Sequence, residues 1–206
     1  GDIMYKDLDG DGKISNVSNT LADHGDLKVI GNKTPRYLFG LDLTASWKGF
    51  DFRAFMQGVM KRDYSDAKEF LFGTTDTGVW WAAGITGVQD YFRDSETWSV
   101  KNGYESENLN AYLPRPQYSG KNIQPQTRYL LNAAYLRMKN LQIGYTLPQS
   151  LVSKAVLGNV RFFVSAENLF TITDLPSQFD PETIDTDYGN GYPLSRTFSF
   201  GVNVTL

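Results

Sequence analysis

The sequence predicts an all-β fold: about five antiparallel strands forming part of a transmembrane β-barrel, with long loops at one end. Three observations carry this. Several segments alternate apolar and polar residues with period two, as strands with one apolar and one polar face do. Short and long connections alternate along the chain, which is how barrel strands run between tight turns and long outer loops. Aromatic residues make up 14 % of the 206 residues. Several sit at the ends of the apolar faces (Tyr37, Trp47, Tyr145, Phe198), where aromatic side chains favour a bilayer interface.

The first region is 1–34, an outer loop ahead of the first strand. It contains "DLDGDGKIS", Asp7 to Ser15, with a carboxylate at every second position and then Gly12. Three such carboxylates repel one another, and a calcium ion would offset their charge. An EF-hand-type loop supplies oxygens at positions 1, 3 and 5, a Gly at 6, a carbonyl at 7 and an acid at 12. Here these are Asp7, Asp9, Asp11, Gly12 and the Lys13 carbonyl, with Ser15 at position 9. Position 12 is Ser18, which cannot bind bidentately, so a carboxylate from farther along must complete the site. The competing reading is a metal-free polar turn, which Asp-Gly pairs favour.

The second region, 35–206, carries the strands. In "RYLFGLDLTASW", Tyr37, Phe39, Leu41, Leu43, Ala45 and Trp47 oppose Gly40, Asp42, Thr44 and Ser46. Lys48-Gly49 is a two-residue hairpin turn. The return strand sets Phe50, Phe52, Ala54 and Met56 against Asp51, Arg53 and Gln57, with Phe55 as an exception. In "AAYLRMKNLQIGYTLP", Leu141, Ile143 and Tyr145 oppose Asn140, Gln142 and Gly144, while the first half alternates poorly, as at a bulge. "PQSLVSKAVLG" predicts one short helical turn. "NVRFFVSAENLFTI", within 159–172, sets Val160, Phe162, Val164 and Ala166 against Arg161, Phe163, Ser165 and Glu167. In the last segment Phe198, Phe200, Val202, Val204 and Leu206 alternate without exception with Thr197, Ser199, Gly201, Asn203 and Thr205.

Lys48-Gly49 and about 147–158 are the short connections; about 63–132 and 173–195 are the long ones. This arrangement places 1–34 and both long loops outside the cell. Five strands cannot close a barrel, which needs at least about eight, so the expectation is a longer parent chain. A start at Gly1 without a basic and apolar leader suits either a mature exported protein or an internal fragment. The alternative architecture is a soluble calcium-binding β-sandwich that binds carbohydrate or mediates adhesion; its strands would alternate similarly.

Composition narrows the function classes. A net charge of −3, a pI near 5.2 and scattered Lys and Arg leave no nucleic-acid footprint. With no cysteine there is no disulfide, thiolate or Cys-ligated zinc chemistry. No apolar run reaches the ~18 residues of a membrane helix. The single histidine, His24, lies in a loop, and no G-x-S-x-G element accompanies it, so the chain does not read as an enzyme. "DPETIDTD", Asp180 to Asp187, reads as a solvated outer loop rather than a catalytic carboxylate pair. The loop 63–132 holds Trp80, Trp81, Tyr91, Phe92, Trp98, Tyr104 and Tyr112. Such aromatics either build the loop's own small core or meet a ligand or partner; Trp80, Trp81 and Trp98 are the candidates for contact.

Taken in order, "GDIMYKDLDGDGKIS", "VIGNKTPRYLFGLDLTASWKGFDFRAFMQG", "YLRMKNLQIGYTLP", "VRFFVSAENLF" and "YPLSRTFSFGVNVTL" resemble the C-terminal part of a SusC/RagA-type TonB-dependent transporter of Bacteroidetes outer membranes. The resemblance covers nearly the whole chain except the middle of 63–132. It implies a multi-pass barrel of ~22 strands with an N-terminal plug. It further implies a SusD-like surface lipoprotein as partner, import of glycans or peptides, and energy passed through TonB by the absent N-terminal part. In the family the closing acid of the calcium loop comes shortly before a "VIG"-like segment. That alignment implies Asp26, after an insertion in "NVSNTLADHG", with Asp23 as competitor.

Overall fold

The computed structural model describes residues 1–65, 89–117, 121–122, 124–155, 157–185 and 192–206. The chain divides into two compact units, Gly1–Ile30 with Ser65–Tyr129 and Gly31–Tyr64 with Leu130–Leu206.

In the first unit the opening residues are tied to a distant stretch of sequence. Arg115 N–H donates to Gly1 O at 2.9 Å, Ile3 N–H to Asn122 Oδ1 at 2.9 Å, and Tyr5 Oη–H to Lys121 O at 2.9 Å. Bridges join Tyr91 to Leu113 and Arg93 to Asn108. A single helical turn, α1 (Trp98–Lys101), follows Thr97, whose hydroxyl donates to Asp94 at 2.8 Å. Leu113 and Tyr129 are buried, and Tyr112 meets Tyr129 edge-on at 5.2 Å. The loop thus has a small core of its own.

The second unit is almost entirely strand. β1 (Arg36–Trp47) and β2 (Phe50–Lys61) form a hairpin in full register, Trp47 opposite Phe50. Its two-residue turn has φ 47° at Lys48 and 89° at Gly49, the left-handed pair that suits strand twist. β3 (Asp63–Tyr64) pairs with β4 (Leu131–Asn132) at the bases of the long loop. β5 (Tyr135–Thr146) precedes a helical turn, α2 (Gln149–Val152), where one was expected. β6 (Asn159–Glu167), β7 (Thr171–Thr173) and β8 (Thr197–Thr205) complete the antiparallel sheet, in the order β1-β2-β5-β6-β8 with β7 also on β5.

One feature refines the expected strands and another bears out an expected irregularity. The strand expected across 159–172 is divided, because Asn168 adopts φ 50°, a left-handed conformation that Asn tolerates better than most residues. Among the described residues the sheet therefore has six strands, two of them drawn from the one expected across 159–172. The poor alternation early in β5 is a bulge, as anticipated. Phe55 of β2 faces Asn140, but Met56 faces Met138, so Lys139 is the extra residue. By residue number Arg137 shares the parity of Leu141, Ile143 and Tyr145. The bulge turns it instead onto the polar face, opposite Gln57 and Thr171.

The polar face also explains its apolar exceptions. Phe55 lies over Gly40, where an added Cβ would stand 3.4 Å from the ring, and Phe163 covers Gly201 so closely that a Cβ there would overlap it. Glycine on one strand and an aromatic on its neighbour fill one layer of space between them.

Candidate functional site

Carboxylate oxygens of Asp7, Asp9 and Asp26 lie within 4.8 Å of one another. The backbone builds this convergence. Gly10 and Gly12 N–H groups donate to the two oxygens of Asp7, at 2.6 and 2.9 Å. Gly12 has φ +79°, with no atom within 4 Å of where a Cβ would point, so its backbone conformation is what calls for glycine. Leu8 and Ser15 N–H groups donate to Asp26 at 2.6 and 2.8 Å, and Asp26 N–H returns to Ser15 O at 2.9 Å. These backbone donors, Leu8 first, hold the Asp26 carboxyl below its ordinary range. Each carboxylate oxygen keeps a further lone pair, so amide donation and ion coordination are compatible.

Of the carboxylates proposed from sequence, Asp7, Asp9 and Asp26 come together. Asp11 stands outside the cluster, accepting from Lys13 N–H at 2.8 Å. Ser15 enters through its backbone. Asp23 accepts from the Ser18 hydroxyl and donates its N–H to Thr20 Oγ1 at 3.1 Å, turned to its own hairpin. The His24 ring Nδ1 lies 3.0 Å from the adjacent Gly25 carbonyl, and the His24 carbonyl accepts from Leu27 N–H at 3.1 Å.

Trp80 and Trp81 lie outside the described residues. Trp98 is 69 % exposed and stacks on Tyr104, itself 72 % exposed, with ring centroids 5.4 Å apart. Tyr91 donates its hydroxyl to Glu105 at 2.6 Å, Arg115 lies 5.9 Å from the Phe92 ring, and Tyr112 packs on Tyr129. Among the described residues, Tyr91, Phe92 and Tyr112 thus serve the loop, while Trp98 and Tyr104 form an exposed stacked pair. In the acidic stretch from Asp180, Asp180 and Glu182 are held in ion pairs, while Asp187 is outside the described residues.

No family model matches the chain. It is 32 % identical to "TonB-dependent receptor P3" of Formosa agariphila, over 99 % of this chain and 19 % of that protein. It is 24 % identical to "TonB-dependent receptor P26" of the same organism, over 100 % and 20 %. The fold matches the RagAB peptide importer in its open-open state with a TM-score of 0.61 and 25 % identity, over 91 % of this chain and 19 % of that one. The closed-closed state gives 0.60 at 24 % identity, covering 91 % and 19 %. The chain belongs to the SusC/RagA-type TonB-dependent transporters. It spans about a fifth of the length of the curated relatives it matches.

Within this family of transporters, not enzymes, the six-stranded sheet is a segment of an outer-membrane barrel. Its apolar face carries Phe198, Phe200, Val202 and Val204, all more than half exposed, as the lipid-facing side of such a barrel does. Its polar face carries ion pairs that sequence reading missed. Arg53 donates to Asp42 at 2.7 Å on the neighbouring strand, and Arg161 reaches Asp51 two strands away. Arg62, Arg137 and Lys139 were missed as well. The available signal was that Arg137 and Lys139 share the number parity of an apolar face, which lipid would not tolerate.

Proposed function

We propose that this chain is part of an outer-membrane importer that works with a SusD-like surface lipoprotein. It takes up oligomeric nutrients with energy delivered through TonB. The observation that carries this is 32 % identity along 99 % of the chain to a TonB-dependent receptor. The fold shared with the RagAB peptide importer favours peptides as cargo and a two-component assembly; glycans are the second class. The test is deletion of the parent gene followed by growth on defined oligopeptides or oligosaccharides as sole nutrient. Loss of growth on one class, restored by the intact gene, supports the reading. Unchanged uptake of both classes sinks it. Affinity capture of the intact transporter from membranes should bring down a surface lipoprotein.

The Asp7–Asp9–Asp26 cluster is assigned to a calcium ion that stiffens the outer loop, without chemical work. Its oxygen-only donors suit a hard cation, and the alternation of acids with Gly12 supports an EF-hand-like turn closed from a distance by Asp26. Extracellular calcium modules bind in the ~0.1–1 mM range, so the ion would exchange with the medium. A soluble calcium-binding sandwich is disfavoured by the exposed apolar face of the sheet.

A further inference from the structure

We propose that a groove on the apolar face of the sheet seats one acyl chain of an anionic phospholipid, whose phosphate is met by Lys48. The proposal rests on the barrel lying in the outer membrane with its short turns toward the phospholipid leaflet, and not on what is imported.

The register sets up the groove. Trp47, Phe50, Tyr145, Phe162 and Val202 stand opposite one another in a row across five strands. The next row on the same face, about 7 Å along the strands, is Ala45, Phe52, Ile143, Val164 and Phe200. Phe50 leans on Tyr145, with ring centroids 4.5 Å apart and planes tilted by 40°. The shorter Ile143 and Val164 leave space beside Phe50, Tyr145, Phe162 and Phe200, a cleft of about 470 Å³. That volume lies within the ~300–1,000 Å³ of small-molecule sites. Ile143 and Val164 remain about half exposed at its floor.

The charge at the mouth of the groove selects the occupant. Trp47 and Tyr145 mark the end of the apolar face, the level at which aromatic rings meet headgroups. The Lys48 ammonium lies over the Trp47 ring, 5.0 Å from its centroid, which keeps the charge on the apolar side of the turn. The other connection at this end, 147–158, carries Lys154 and no acid. Asp51 is turned to the polar face and held there by Arg161. An apolar slot with a lysine at its mouth suits a hydrocarbon chain that ends in a phosphodiester anion. A zwitterionic headgroup suits it less, because its own ammonium repels Lys48.

The test is native mass spectrometry of the full-length transporter, released from micelles holding equal amounts of phosphatidylglycerol and phosphatidylethanolamine with the same acyl chains. The parent should retain phosphatidylglycerol with about fivefold preference, the contribution of one lysine near an anionic headgroup. In Lys48→Asn the turn survives, since Asn-Gly favours the same left-handed pair; retention should persist while the preference falls by about that factor. Val164→Trp keeps the face apolar but fills the groove, and should lose the retained lipid. Should that variant lack the heat-modifiable gel mobility of a folded barrel, Ile143→Phe fills the same space with a smaller ring. A folded, filled variant that holds as much lipid as the parent overturns the proposal, as does an undiminished preference in Lys48→Asn. A filled variant that changes oligomeric mass but not lipid content would assign the groove to a second copy of the chain, and overturns it too. Failure of the barrel reading looks different: the full-length protein would then be recovered in solution without detergent.

Discussion

Arg161 and Asp51 are joined across an intervening strand: the guanidinium Nε on β6 reaches over β5 to Asp51 Oδ1 on β2, at 2.9 Å. The crossing is possible because residue 144 between them is glycine. An added Cβ there would fall 2.4 Å from Asp51 Oδ1 and 2.5 Å from Arg161 Nη2.

Gly144→Val should therefore cost more than loss of the ion pair itself. A partly exposed pair contributes at most ~1 kcal/mol, whereas forcing atoms into filled space costs ~1–3 kcal/mol. Urea unfolding of the transporter in lipid vesicles should rank Gly144→Val well below Asp51→Ala. Equal midpoints would mean that the strand spacing relaxes freely.

On β8 the two faces predict opposite outcomes for one substitution. Val202→Arg places a charge on the lipid face at a cost of ~2–4 kcal/mol near the midplane. Asn203→Arg points into water beside Arg161, its partner in the register. Membrane yield of folded barrel should collapse for the first and hold for the second.

Calcium titration of the intact protein separates the two candidate closing acids. Asp26→Ala and the double variant Asp9→Ala with Asp11→Ala should each abolish binding, while Asp23→Ala should leave it unchanged. Asp11→Ala alone should weaken binding less than Asp9→Ala, since Asp11 stands outside the cluster. Undiminished binding in the double variant would reduce the loop to a turn.

The segment 174–185 predicts a pH dependence of known sign. Burial raises the Asp180 carboxyl, but donation from Glu182 N–H, the Arg137 guanidinium and Leu194 N–H outweighs it and leaves the group below its ordinary range. A carboxylate lowered in the folded state contributes stability above its unfolded pKa, and loses it as pH falls through the lowered value. Protection against amide exchange across 174–185, taken relative to the intrinsic rate at each pH, should be high at neutral pH and fall only below the usual carboxylate range. Asp180→Asn should exchange faster at neutral pH and lose that acid step.

Much of this was legible in the sequence, because a period-two code names both faces of a strand. β1, β2 and β8 fall where alternation put them, and Lys48-Gly49 turns as expected. The break at Asn168 was hidden because the flanking residues still alternate, and nothing in the residue types of "AENLF" marks a backbone reversal. At the acidic loop, the approach of Asp7 to Asp9 followed from local spacing. Asp26 came only through the family alignment, since no local rule carries a ligand across an insertion. The ion pairs of the segment 174–185 were invisible for a different reason: Asp180 and Glu182 lie more than forty residues from Arg137 and Lys139, and loop acids ordinarily face solvent.

The extra residue in β5 has a consequence for anyone cutting and joining these strands. In a strand each residue is a letter read on one of two faces, so one inserted letter inverts the reading of all that follow. Lys139 is such a letter, and it lets a stretch that would spell a lipid surface spell the lumen instead. Deleting it would leave every residue type in β5 but Lys139 itself intact. Arg137 would then turn toward hydrocarbon and Leu136 toward water, a frameshift written in protein rather than in nucleic acid. Chimeras between relatives must therefore be spliced by counting parity from this position, and not by matching the residues that look alike.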